Sequence, residues 1–489
     1  MNKNNKKKLI GISLLTVLVY TAAIVWWHVY TPHSDFEMQM PGADNRPEGM
    51  ERTIQTVHIG AFFHRFVEEY TSPLTGQWTT FRGENHDNIV NTPATITIPE
   101  DGFPILWSIG TGEGYAAPVI FNGKVYLLDY DETLGADMLR VFSLETGQEL
   151  WRRWYPMRLR RWHGFSRTVP VIGEGFVITV GPLGHVMACD PVTGDMLWSL
   201  NMEKEFGTTI PDWWVGQCPI VYNGVLVLAP AGEEVLLAGF DPMTGEMLWT
   251  VPNDMNLLMS HSSIMPMTLD GKRTLVYFGL GGIVGISAEE YDMGTLLWSN
   301  NLAPWLPHKQ VSPAPLQISS TDMLLTSGYG QGSARFRVNR SGNQWTTTIA
   351  EQWGVNEGLS SEQQTPILHN NMVISIHTRD ARADLRRRLS MYSLNNFRIP
   401  VWLSDERICY GPFIVINDYL FVFEDFGELL VYRIEDRSMT LLKRQMVVPD
   451  GFDAWGPIAY ADGIIIVGDA YNIVALRIAD YEQISEDID

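Results

Sequence analysis

The chain has 489 residues, 45% apolar and 19% charged, which excludes an intrinsically disordered protein and would fill two to four ordinary domains. Its formal charge of −21 speaks against a nucleic-acid or anionic-membrane surface partner, because phosphate binding needs a basic face. Three scattered cysteines, Cys189, Cys218 and Cys409, make neither a disulfide framework nor a zinc set; they read as buried free thiols, with one bridge as the alternative.

Residues 1–8 form a basic tail carrying Lys3, Lys6, Lys7 and Lys8. Residues 9–30, from Leu9 to Tyr30, hold no Asp, Glu, Lys or Arg. As a helix they span ~33 Å, enough for a bilayer core of ~30 Å. Trp26, Trp27 and Tyr30 stand where an interfacial aromatic belt belongs. The lysines place the tail in the cytoplasm and the bulk of the chain outside, as expected of a single-pass anchor in a bacterial inner membrane facing the periplasm. A signal peptide cut near Thr21-Ala22-Ala23 is the competing reading. Residues 31–77 read as a linker, polar and proline-bearing at first, with a short amphipathic helix expected over 58–70. A lead-in occupies 78–104, and an acidic tail occupies 483–489.

Between them, over 105–482, the chain repeats itself. CDPVTGDMLW (189–198) and FDPMTGEMLW (240–249) share seven of ten letters. The same turn-and-tryptophan unit recurs as LETGQELW, YDMGTLLW and NRSGNQW, with Gly147, Gly194, Gly245, Gly294 and Gly342 spaced by 47, 51, 49 and 48. A proline opening a short apolar strand runs in step: Pro118, Pro170, Pro219, Pro266, Pro315, Pro366, Pro412 and Pro457. Each unit carries four strand signals; in the first, Asn122-Gly123 makes a tight hairpin turn. Four antiparallel strands every 45 to 52 residues, eight times over, spell an all-β, eight-bladed β-propeller.

The glycines, Gly147, Gly194 and Gly245 among them, supply the left-handed turn. Trp107, Trp151, Trp198, Trp249, Trp298, Trp345 and Trp402 lie on outer strands, each expected to dock on the neighbouring blade. The eighth unit shows three strands, so ILWSIG (Ile105–Gly110) is expected to complete it and close the ring.

The repeat resembles the tryptophan-docking motif of the PQQ-like, or quinoprotein-type, β-propellers, over residues ~105 to ~480. That superfamily holds the pyrroloquinoline-quinone dehydrogenases and the non-enzymatic propeller of the outer-membrane β-barrel assembly machinery. WTTFRGENHDNI (78–89) is similar to the lead-in of membrane-anchored or secreted members common in planctomycete-type bacteria. The chain departs from the dehydrogenases in lacking adjacent cysteines, and from the assembly component in lacking a lipobox cysteine. The resemblance therefore implies the fold and neither specific activity.

No GxGxxG, Walker A, HExxH, GxSxG or CxxC occurs, and DYDETLGADMLR (129–140) fails the calcium-loop pattern at its glycine and at Arg140. The loops joining blades are aromatic and basic instead. RRWYPMRLRRWHGFSR (152–167) has six arginines and RDARADLRRR (379–388) has five. The candidate recognition face is Arg158, Arg160, Arg161, Trp162, His163, Trp213, Trp214, Trp305, His308, Trp353, Arg386, Arg387, Arg388 and Trp455, types suited to an envelope protein partner or an anionic ligand. The packing alternative has these tryptophans covering the channel and the arginines pairing with acids such as Asp384. The expected function is an anchored, non-catalytic scaffold with no catalytic residue, cofactor or metal. The alternative is a quinoprotein-like oxidoreductase holding pyrroloquinoline quinone and calcium over the channel; a glycan binder would use the same tryptophans.

Overall fold

The computed structural model describes residues 3–29, 57–160, 162–306 and 310–479. The chain divides into two units, 1–55 and 56–489. In the first, helix α1 (Lys3–Val29) is 27 residues long, and its stretch Asn4–Trp27 is long and apolar enough to cross a membrane. The linker over 31–56, the tail over 483–489, Arg161 and His308 lie outside the described residues.

The second unit is an eight-bladed β-propeller, each blade a four-stranded antiparallel sheet. In blade 1 the strands are Val119–Phe121, Lys124–Asp131, Ala136–Ser143 and Glu149–Pro156, from the axis outward. The innermost strands are short and buried because both of their faces meet neighbouring blades. Val119, Ile120, Ile414 and Ala459 are fully buried. At Asn122-Gly123 both residues have positive φ, 49° and 69°, the requirement of a tight two-residue hairpin turn. DYDETLGADMLR is simply the next hairpin of this blade: Asp131 accepts from the Thr133 and Leu134 N–H groups, and Asp129 pairs with Arg140 at 2.9 Å.

Three segments before blade 1 join the propeller. Strand β1 (Phe62–Arg65) pairs antiparallel with the outer strand of blade 1. Strand β2 (Ile89–Val90) pairs parallel with the innermost strand of blade 7. Strand β3 (Ile105–Gly110) pairs antiparallel with Asn472–Arg477, so ILWSIG closes the ring as the outer strand of blade 8.

The helix expected over 58–70 is therefore absent, and the segment is not a free linker. A helix of that length is marginal alone, whereas an outer strand offers a row of unpaired N–H and C=O groups. Side chains fix the pairing. Phe63 packs on Trp151 at 6.0 Å beneath the Arg153 guanidinium at 4.9 Å, and Phe62 stacks on Trp154 at 5.7 Å. Arg152 and Arg153, counted with the basic loop in the sequence, belong to this outer strand and clamp β1; Arg153 donates to the Gly60 and Gly194 carbonyls at 2.7 Å.

The outer-strand tryptophans meet the following blade. A β-carbon added to Gly147 would sit 2.7 Å from Trp107, to Gly194 3.2 Å from Trp151, to Gly245 2.6 Å from Trp198, and to Gly294 2.4 Å from Trp249. The Trp107 and Trp198 indoles also donate to the Leu144 and Pro242 carbonyls of the next blade, each at 2.8 Å. In later blades an aromatic replaces the glycine: Trp298 meets Phe336 and Trp402 meets Tyr432, both at 5.9 Å. Trp345 is half-buried under Arg340 of its own blade, 5.5 Å away.

Candidate functional site

The innermost strands leave one edge facing the axis, and a polar backbone edge needs partners. The lead-in supplies them. Gly76 N–H donates to Asp462 of blade 8 at 2.8 Å. Trp78 exchanges backbone bonds with Ile120 of blade 1, and the Thr79 carbonyl accepts from Ile172 of blade 2. The Asn88 carbonyl then accepts from Val415, and the Val90 carbonyl from Asn417, both in blade 7. Residues 76–92 thus rise through the channel along blade 1, turn over 82–88 and descend along blade 7. The propeller is stoppered by its own chain.

At the turn, Arg82 is 2% exposed. Its guanidinium donates to the carbonyls of His86, Asp87, Thr365 and Pro366 at 2.9–3.2 Å, tying the plug to the start of blade 6. Gly83 has φ +78°, and a β-carbon there would strike the Trp78 ring at 2.6 Å. The tryptophan, arginine and glycine of WTTFRGENHDNI are thereby explained as an anchor, a clamp and a tight turn.

Above the turn lies a cavity of about 90 Å³, and beside it, toward the loops, a chamber of about 100 Å³. Arg167, His261, Ser312, Gln363 and Trp455 line both. Tyr115 stacks on Trp455 at 4.7 Å, the Arg167 guanidinium lies over the Tyr115 ring at 4.8 Å, and the Tyr115 hydroxyl meets His163 Nδ1 at 3.0 Å. Arg167 donates to the carbonyls of Trp213 and His163. In the outer chamber buried Glu362 pairs with Arg379 at 3.2 Å and accepts from Tyr410 at 3.2 Å.

Burial governs the charges here. It lowers Arg82 and Arg167 to about 10, so both stay cationic at neutral pH. Burial first, then the Arg167 charge, lowers His261 to about 3; it is neutral, and its Nε2 donates to the Trp214 carbonyl at 2.9 Å. Burial also raises the Cys218 thiol to about 11, which leaves it unreactive. Cys189, Cys218 and Cys409 are all free and buried.

Backbone strain concentrates at this end of the molecule. Outside Gly, Asn and Asp, positive φ occurs among the described residues at Arg82, His86, Trp213, Trp214, Ala231, Tyr329, Arg387 and Cys409. All of them lie in the plug, in second-to-third-strand hairpins or in inter-blade loops, on the end where the cavities open. The opposite end carries the ordinary Asn-Gly and Asp-Gly turns.

The structure brings His163, Trp213 and Trp455 of the expected face to the chambers. Arg158, Arg160, Trp162 and Arg386 are exposed, and Arg387 is half-buried over Tyr410 at 5.6 Å. Others are corrected. Trp214, Trp305 and Trp353 are buried at 7%, 6% and 2% and pack as core: Trp305 stacks on Phe278 at 6.3 Å and Trp353 on Phe397 at 5.5 Å. Arg388 opens a strand and donates to the Ser404 carbonyl. An indole in a long loop is covered when the loop folds back, because its area is too large to leave wet. Tyr115, Glu362, Tyr410 and above all Arg82 were missed. Arg82 stood in the lead-in motif, where only its place on the axis gives it a role.

These features define a class: an eight-bladed propeller with a self-plugged channel and a polar, aromatic-walled mouth. The chain belongs to the PQQ_2 family, described as outer membrane protein assembly factor BamB, whose profile matches residues 135–439. No curated protein matches the sequence. Among solved structures, BamB from Moraxella catarrhalis is similar at TM-score 0.50 and 12% identity, covering 78% of this chain and 99% of its own. The quinohemoprotein alcohol dehydrogenase from Comamonas testosteroni is similar at TM-score 0.53 and 11% identity, covering 84% and 82%. At these identities the likeness shows the fold.

Proposed function

We propose that this protein is a membrane-anchored, envelope-exposed propeller scaffold that binds a protein partner through the loop face around Trp162. The observation that carries this reading is the backbone of Trp213 and Trp214, held at φ 62° and 73°. Left-handed backbone at a bulky residue costs about 1–3 kcal/mol each, and such strain collects at binding and catalytic sites. The two strained indoles meet Trp162 at 6.4 and 6.0 Å, and Trp162 keeps 40% of its surface exposed. Exposed Arg158, Arg160 and Arg386 put positive charge on this face of a −21 body, which favours an acidic partner. Helix α1 would tether the chain to an inner membrane, with the propeller on its outer side. The family description as an assembly factor accords with protein binding.

The second reading is a pyrroloquinoline-quinone oxidoreductase. Arg167 and Arg379 at the mouth favour it, since they would meet a cofactor's carboxylates. The fit is poor. The cavity of about 90 Å³ and the adjoining chamber of about 100 Å³ are each small against ligand sites of ~300–1,000 Å³. The Trp455 face that would carry a flat ring is covered by Tyr115. No step is derived through the quinone or calcium.

The test is a photoreactive residue at position 162 in the anchored protein in its own envelope. A discrete protein adduct is expected, lost when Arg158 and Arg160 are both replaced by Glu. An adduct pattern equal to that of a probe at Asn122, on the opposite end, would overturn the reading.

A further inference from the structure

Arg82 and Arg167 line the same cavity, and among the described residues no Asp or Glu lines it. Arg82 has five N–H groups, and four of them donate to backbone carbonyls. Arg167 is satisfied at Nε and Nη2, again by carbonyls. Among the described residues neither forms an ion pair. The carboxylates around the cavity are engaged by other groups: Asp87 caps the Ile89 N–H at 2.9 Å, Glu113 accepts from Gly164 N–H at 3.0 Å and Tyr471 at 3.1 Å, and Glu362 in the adjoining chamber pairs with Arg379 at 3.2 Å. Two guanidinium groups thus share one cavity whose described walls hold no carboxylate, while Asp87 and Glu113 act on them only from outside those walls, an arrangement that an anion between them would stabilise. The remaining walls suit an anion: the hydroxyls of Ser263 and Ser312 and the amide of Gln363 can donate into the space. A single water needs roughly 10–15 Å³ by this measure of volume. About 90 Å³ therefore takes one phosphate-sized group and excludes a drug-sized ligand.

We propose that Arg82 and Arg167 together hold a small oxyanion, a carboxylate or inorganic phosphate, at the head of the plug. The outer chamber is its route, because Arg167, Ser312 and Gln363 wall both spaces. A bound oxyanion would bridge the plug to the loop between blades 1 and 2, locking the lead-in into the channel. This site lies beneath the loop face and does not depend on a protein partner, so the purified chain alone tests it.

The full chain in detergent is titrated calorimetrically with sodium phosphate, with acetate, and with chloride at matched ionic strength, and its Tm is followed in each. Saturable 1:1 binding of phosphate or acetate is expected, with a Tm rise that chloride does not reproduce. Which of the two binds names the oxyanion. Arg167→Gln should weaken binding about tenfold, the worth of a hydrogen bond to a charged group, while leaving the anion-free protein folded. Equal heats and Tm for chloride would overturn the proposal, as would folded Arg167→Gln binding within about twofold of wild type. Arg82→Gln is the second variant. Should it fail to fold, line broadening of whichever anion the titration names, phosphate by phosphorus NMR or acetate by proton NMR, is compared between the wild-type and Arg167→Gln chains, and equal broadening by the two overturns the site.

Discussion

The Trp198 indole of blade 2 lies against Gly245 of blade 3, so close that a β-carbon on the glycine would sit 2.6 Å from the ring. Gly245 also holds φ +71°, which penalises any side chain. Gly245→Ala should therefore destabilise twice over, by strain and by lifting the indole, for a total on the order of 2–4 kcal/mol. Trp151→Ala should cost about 3–5 kcal/mol because that ring is 1% exposed. Trp198→Ala should cost less, since it is only half-buried. Urea unfolding of the three variants checks both the sizes and the order.

Arg82 serves four carbonyls from two separate segments with one planar fork. Arg82→Lys keeps the charge and loses the fork, so it should fail to rescue Arg82→Ala. Both should destabilise by about 3 kcal/mol, with protease sensitivity appearing first at the lead-in. A lysine variant that unfolds at the wild-type urea midpoint would remove the clamp role.

Burial raises the Asp137 carboxyl to about 7, against the opposing hydrogen bond from Tyr155 at 2.7 Å. The native state keeps this proton at pH values where the unfolded chain, at its ordinary 3.8, has released it. Stability from this group is therefore full below pH ~4 and falls as the pH rises toward ~7. Asp137→Asn cannot ionise. Relative to wild type it should gain stability with rising pH, by at most about 4 kcal/mol at pH 8, and gain nothing from this cause at pH 4. Parallel stability curves for the two proteins would contradict the assignment.

Strand β1 covers the outer edge of blade 1, and Phe63 seats it on Trp151 and Gly194. Phe63→Ser should release the strand, cost about 2 kcal/mol, and bare an edge that pairs with other chains. Light scattering at raised concentration should show association in the variant and none in the wild type.

Much of this architecture was written in local sequence. The Thr-Gly turns, the marker prolines and the Asn-Gly hairpins are short-range signals, and a strict period forces like units into like sheets. Even ring closure could be counted, because the eighth unit lacked a strand and ILWSIG stood free. The site was less legible. His163, Trp213 and Trp455 were found because unusual residues in inter-blade loops must share one end of a propeller. Trp305 and Trp353 looked the same in sequence and are buried, since loop length does not say which way a loop folds.

What the sequence by itself determined is the blade count, the strand order and the docking periodicity, each set by neighbours within about fifty residues. What only the tertiary structure decided is the use of the segment before the first blade. HIGAFFHRFVEEY became an edge strand and WTTFRGENHDNI a plug because the finished ring exposes unpaired backbone on its rim and its axis. Arg82 bonds Thr365 and Pro366, 283 and 284 residues away, and no local pattern encodes a partner at that range. Long-range satisfaction of buried polar groups is a property of the closed propeller.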